Sequence, residues 1–151
     1  MNITQALLGE HGVFYAQFKH LEQTLQMATN ASQVQGQVTL LAAALETHAR
    51  LENDLLFNAL DAHLSGMGPL TVMRAEHQDI EGTLAQVAQV QDLSRAQGLV
   101  QRLLQIARAH FSKEEQVLFP LAEQTLDAAT LQRLGAQWAE QRGVVVTQGA
   151  A

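Results

Sequence analysis

The chain has 151 residues, of which 47% are apolar, and a net charge of −6, enough for one domain with a substantial core and above the disordered range. An acidic chain (pI about 5.4) is a poor partner for nucleic acid or anionic lipid, and the absence of cysteine excludes disulfides, thiolate zinc sites, iron–sulfur ligation and thiol catalysis. The longest purely apolar run covers residues 40–45, too short for a membrane span, and Met1-Asn2-Ile3-Thr4 lacks the basic and apolar regions of a signal peptide, so the expectation is a soluble, cytoplasmic protein.

Four stretches carry apolar residues at helical spacing. The first runs through Ile3, Leu7, His11, Phe14, Phe18, Leu21 and Leu25, and the second through Val34, Val38, Leu41, Leu45, His48, Glu52, Leu55 and Ala59. Between them, Asn30-Ala31-Ser32 offers a stop and a new N-cap. The turn Ser65-Gly66-Met67-Gly68-Pro69 then leads into a third series, Leu70, Met73, His77, Ile80, Leu84 and Val87, with Pro69 suited to a first helical position. Asp92 or Ser94 caps the fourth, which carries Leu99, Leu103, Ile106, His110, Glu114, Val117 and Leu121. Pro120 is expected to kink or end it, since it cannot donate a hydrogen bond to residue 116. Asp127 caps a short fifth segment that carries Trp138 and stops near Gly143. The pattern predicts an all-α fold, an up-down-up-down four-helix bundle with a short fifth C-terminal helix. One domain is expected over residues 1–143, with a loose tail from Val144 to Ala151.

The exceptions within these stripes carry the information. Each is interrupted by a histidine (His11, His48, His77, His110), and two of these are followed four residues later by a glutamate, Glu52 or Glu114, still on the core-facing seam. Six unpartnered ionisable groups in a bundle interior cost several kcal/mol each, against a total stability of roughly 5–15 kcal/mol. A pair of metal ions compensates all six, because imidazole suits iron, zinc, copper or nickel and carboxylates can bridge two ions. Counting helical rise back and forward from the first turn places His11 level with His48 and Glu52. The match between the second and third helices is poorer by about one turn, so the second helix is expected to stop before His63. A repeat supports the pairing: Glu10-His11 recurs as Glu76-His77, and His48-x-x-x-Glu52 with Leu56-Phe57 recurs as His110-x-x-x-Glu114 with Leu118-Phe119.

With Glu-His at 10–11 and 76–77, His48-Ala-Arg-Leu-Glu52, and His110-Phe-Ser-Lys-Glu114-Glu115 ahead of Val117-Leu118-Phe119-Pro120, the chain resembles the hemerythrin-like (HHE cation-binding) family over about residues 3 to 126. The ferritin-like bundles use the reverse order, Glu-x-x-His. The resemblance implies two non-haem irons bridged by oxide or hydroxide, with His11, His48, His77 and His110 as terminal ligands and Glu52 and Glu114 bridging. The family's oxygen carriers have a further histidine where this chain has Met73, and a thioether is a poor ligand for hard iron. The resemblance therefore implies a four-histidine, two-carboxylate site that binds or senses O2 or NO, rather than a reversible oxygen transporter. Its rivals are an enzyme acting on nitric oxide or peroxide, an iron donor in cluster repair (a role whose usual cysteine-bearing N-terminal segment has no counterpart here), and a metal-free helical interaction module. No redox partner is legible.

Other positions receive plainer readings. Tyr15 is either a residue facing the metal cavity or a packed core-edge tyrosine; Glu10, Glu76 and Glu115 are read as solvated helix faces in preference to partners of the histidines. His20 and His63 are left outside the site, and Phe14, Phe18, Phe57, Phe111, Phe119 and Met73 are read as packing.

Overall fold

The computed structural model describes residues 1–64 and 68–145. Of the expected turn into the third helix, Ser65, Gly66 and Met67 lie outside the described residues, as do residues 146–151 of the expected tail.

Helix α1 (Ile3–Thr24) begins with a reciprocal capping box, Asn2 accepting from the Gln5 amide while the Gln5 side chain returns to the Asn2 backbone. A 3-10 turn, Leu25–Met27, ends it. Helix α2 spans 31–61 without interruption, capped by Asn30. Helix α3 (Pro69–Gln89) has Pro69 at its first position, where the missing N–H costs nothing. Helix α4 spans 93–125 and is capped by Asp92, which accepts from the Arg95 amide, not by Ser94. Helix α5 (Ala128–Arg142) is capped by Asp127 and ends at Gly143, whose φ of 64° is the left-handed conformation that glycine adopts without strain. Among the described residues there is no strand, and no helix is long and apolar enough to cross a membrane.

Glutamine amides tie the loop end of the bundle. Gln35 donates to the Val87 and Val90 carbonyls (3.1 and 2.9 Å) and Gln97 to the Leu25 carbonyl (3.1 Å). The start of α2 thus meets the end of α3, and the start of α4 the end of α1, which is the alternating topology of an up-down-up-down bundle. Helix α5 lies across α1. A Cβ on Gly135 would fall 2.7 Å from the Met1 carbonyl oxygen, so this approach needs glycine.

Both long composite helices contain a π-helical turn, Glu52–Phe57 in α2 and Glu114–Leu118 in α4. At their ends the Asn58 amide donates to Asn53 and the Phe119 amide to Glu114, five residues back. Each turn inserts one residue and rotates the following seam, correcting the expected stripes. Val117 is 55% exposed and Leu118 1%; Ala59 is only half-buried whereas Leu60 is fully buried. Pro120 does not end α4, which continues to Thr125 from a π turn that has already broken the i−4 bonding register ahead of the proline.

The apolar core divides in two. One cluster, under α5, includes Ile3, Leu7, Leu56, Phe57, Met73, Leu118, Phe119 and Trp138. The other includes Phe14, Phe18, Val38, Leu45, Ile80, Leu103 and Phe111. On every long helix the ionisable residues fall at the boundary: His11 between Leu7 and Phe14, His77 between Met73 and Ile80.

Candidate metal centre

At that boundary the six side chains singled out by the stripes come together. His11, His48, His77, His110, Glu52 and Glu114 are all buried, both glutamates completely. They form two groups, His11–His48–Glu52–Glu114 and Glu52–His77–His110–Glu114, each offering donor atoms within 4.8 Å of one another. The glutamates divide their oxygens between the groups. Glu52 Oε1 lies 3.2 Å from His48 Nε2 and Oε2 lies 3.3 Å from His77 Nε2; Glu114 Oε2 lies 3.3 Å from His11 Nε2 and Oε1 lies 3.3 Å from His110 Nε2. The one-turn offset between α2 and α3 is absorbed because α2 stops at Asp61, leaving His63 exposed with His20 on the surface.

Behind the rings stands a layer that corrects the reading of Glu10, Glu76 and Glu115 as solvated. His48 Nδ1 donates to Glu10 (2.6 Å), His11 Nδ1 to Glu115 (2.9 Å) and His110 Nδ1 to Glu76 (3.0 Å). An ionised carboxylate only accepts, so Nδ1 carries the proton and the Nε2 lone pair faces inward. Asn53 takes the fourth place, its amide 3.4 Å from His77 Nδ1. These partners sit one residue from the seam, on the flank where neighbouring helices meet, and the repeat marks them: Glu10 with Glu76, and Asn53 with Glu115, each one residue beyond its glutamate. The layer is held in turn. Tyr15 donates its hydroxyl to Glu115 (3.0 Å), Lys113 pairs with Glu76, and Trp138 and Arg142 donate to Glu10. Tyr15 is thus a partner of Glu115, with burial and that carboxylate pushing its pKa up to about 12. Met73 is buried in the apolar cluster under α5.

The inward atoms test whether the residues fit a metal. Both oxygens of Glu52 and of Glu114, and Nε2 of His77 and His110, are buried without a hydrogen-bond partner. Native interiors rarely leave such groups orphaned, and here six are aimed at one small volume, all of a type that ligates cations. The residues fit a pair of cations shared through the two carboxylates.

Without a cation, protons do part of this work. Burial opposes the charged form of His48, yet Glu52 and Glu10 outweigh it and raise its pKa to about 9. Burial and the facing Glu52 push Glu114 well above the usual carboxylate range. Both raised groups favour the fold below their unfolded values and lose that contribution as pH climbs through their folded ones. The metal-free protein is therefore expected to lose thermal stability between pH 6.5 and 9, by about 5 °C or more, while the metal-loaded protein, in which cations replace the protons, does not. Thermal unfolding of both forms at the two pH values checks this, and a metal-free midpoint that rises with pH contradicts it.

A cleft of about 20 Å³ between α2, α3 and α4 reaches the cluster, lined by Leu45, Glu46, Ala49, Ile80, Glu81, Leu84 and Phe111 and touching His48, His77 and His110. That is room for one molecule of about the size of water.

The sequence profile of the hemerythrin HHE cation-binding domain matches residues 2–122, with a second, overlapping match over 73–144. Neither a search of curated proteins nor one of solved structures returned a match.

Proposed function

The chain belongs to the hemerythrin HHE cation-binding domain family, and from that premise we propose that it holds two non-haem irons and binds or senses O2 or NO. His11 and His48 serve one iron, His77 and His110 the other, and Glu52 and Glu114 bridge both. The observation that supports this most directly is the set of orphaned inward donor atoms, the four carboxylate oxygens and the Nε2 atoms of His77 and His110, within two groups that share both carboxylates. Imidazole and carboxylate together suit iron, and an iron pair so held supplies redox-active Lewis acids that accept a diatomic ligand. The protein's part is to fix the imidazole tautomers through Glu10, Glu76 and Glu115 and to keep the surroundings apolar. The cleft's volume of about 20 Å³ favours a diatomic molecule over a larger organic substrate. Met73 adds no nitrogen donor, which supports the four-histidine, two-carboxylate set.

Anaerobic reconstitution with ferrous ions is expected to give about two irons per chain. Addition of NO, or of air, is then expected to produce a new visible absorption band. His110→Ala should lower the iron content by about half or more and His20→Ala should leave it unchanged. Equal loading of the two variants and the parent would overturn the assignment of ligands. Two irons with no spectral response to either gas would overturn the ligand-binding role.

A further inference from the structure

The surroundings of the centre follow the internal repeat closely, which makes the departures from it informative. Phe119 stacks on His11 (centroids 5.5 Å apart, planes at 29°), and its counterpart Phe57 stacks on His77 (5.5 Å, 12°). The correspondence then fails on one side. Phe111 lies flat over His11, with centroids 4.0 Å apart and planes at 12°; the position 62 residues earlier is Ala49. Phe14 and Phe18, which pack around Phe111, correspond to Ile80 and Leu84, 66 residues later. Aromatic rings therefore fill the space around His11. The matching space around His77 is lined by smaller aliphatic side chains, and there the cleft opens. Both histidines of the second group, His77 and His110, border it, whereas of the first group only His48 does and His11 does not.

The hydrogen-bonded layer breaks the symmetry in the same sense. Glu115 accepts from His11 at 2.9 Å, whereas its counterpart Asn53 is a neutral amide 3.4 Å from His77. A carboxylate behind an imidazole raises its donor strength. His77 is thus the weaker donor, and a metal bound to it is left more electron-poor and more receptive to an incoming ligand.

We propose that the two halves of the centre are functionally distinct: the His77–His110 half carries the exchangeable coordination position, entered through the cleft beside Ala49, and Phe111 closes the His11 half. This rests on the reading of the cluster as a di-iron centre.

Azide, a small anion with a visible charge-transfer band on ferric iron, is the probe. In the parent protein loaded with ⁵⁷Fe, two Mössbauer doublets are expected. Azide should bind once per iron pair and move only one of them. Ala49→Phe, which places on the open side the ring that Phe111 supplies on the closed side, should keep the iron content and weaken azide binding by about tenfold or more; Ala49→Leu should fall between. Failure of the parent to take up iron would overturn the di-iron reading itself. Two irons with both doublets moving equally, or an Ala49→Phe variant that keeps its iron and binds azide as tightly as the parent, would overturn this inference alone. Where the phenylalanine variant loses its fold, Ala49→Leu carries the test of which half is open, and a parent in which both doublets move equally overturns the inference by itself.

Discussion

Glu114→Ala is expected to strip both irons from the chain, not one. On the proposed reading both glutamates bridge, because each offers one oxygen to each half of the centre, Glu114 Oε2 toward His11 and Oε1 toward His110, both at 3.3 Å. Removing it leaves each group of four with three donors and removes a negative charge that two cations share. His77→Ala, by contrast, takes a donor from a single group. Iron per chain is therefore expected to fall about tenfold or more in Glu114→Ala, at least the cost of losing a supporting residue around a metal, and to about half in His77→Ala. The metal-free forms should show the opposite ranking. The Glu114 carboxyl is fully buried and both its oxygens are orphaned, so its removal relieves a penalty of several kcal/mol that offsets a cavity cost of roughly 2–5 kcal/mol. Chelated Glu114→Ala should melt no lower than the chelated parent, yet gain nothing from added iron. Metal analysis together with paired melts checks the pattern. A Glu114→Ala protein that retains one tightly held iron would show that the carboxylate serves one half only.

Most of this arrangement could be read from the residues because the seam of a bundle helix is so regular. Along α1 and into its closing 3-10 turn every position of the expected stripe, from Ile3 to Leu25, is buried, and His11 stands out only because its neighbours are apolar. The same contrast exposed His48, Glu52, His77, His110 and Glu114. What escaped the pattern has two physical causes. The first is the π turns: a regular 3.6-residue period assumes i−4 bonding throughout, so the seam after Glu114 was placed on Val117 and Leu121 when the inserted residue moves it to Leu118 and Ala122. Both turns begin at a glutamate of the cluster, and π turns concentrate at functional sites. The second is the flank. Glu10, Glu76 and Glu115 lie beside the seam, where a charged residue looks the same in sequence whether it faces water or a neighbouring helix. Only the packing of α1 against α2 and α4, and of α3 against α4, shows that each meets an imidazole. The internal repeat was the available signal, since it carries Glu10 to Glu76 together with their histidines.

Glu10→Ala is expected to loosen α5 and the centre together. Four donors from two other helices converge on this one carboxylate: His48 Nδ1 at 2.6 Å, Trp138 Nε1 at 2.9 Å, and Arg142 Nε and Nη2 at 2.6 and 2.9 Å. Burial raises its pKa, but His48 and Arg142 outweigh that effect and hold it below the usual carboxylate range; it therefore stays ionised at neutral pH and acts as a charge-assisted acceptor for both elements. Truncation leaves the Trp138 N–H and the Arg142 guanidinium without their acceptor at the inner face of α5, at a cost of roughly 3 kcal/mol or more. Trp138 is the chain's one tryptophan, so its emission reports on α5 alone, and a red shift is expected as the helix lifts. His48 meanwhile loses the partner that fixes its tautomer, and iron affinity should drop by about 10–100-fold. Glu76→Ala separates the two effects. Glu76 supports His110 in the same way but among the described residues is otherwise met only by the exposed Lys113, so its loss should weaken iron binding comparably while leaving the melting temperature and the Trp138 emission close to the parent's. If Glu10→Ala melts like the parent with unshifted emission, the carboxylate does not hold α5 to the centre, and the apolar contacts of Leu131, Leu134 and Trp138 suffice.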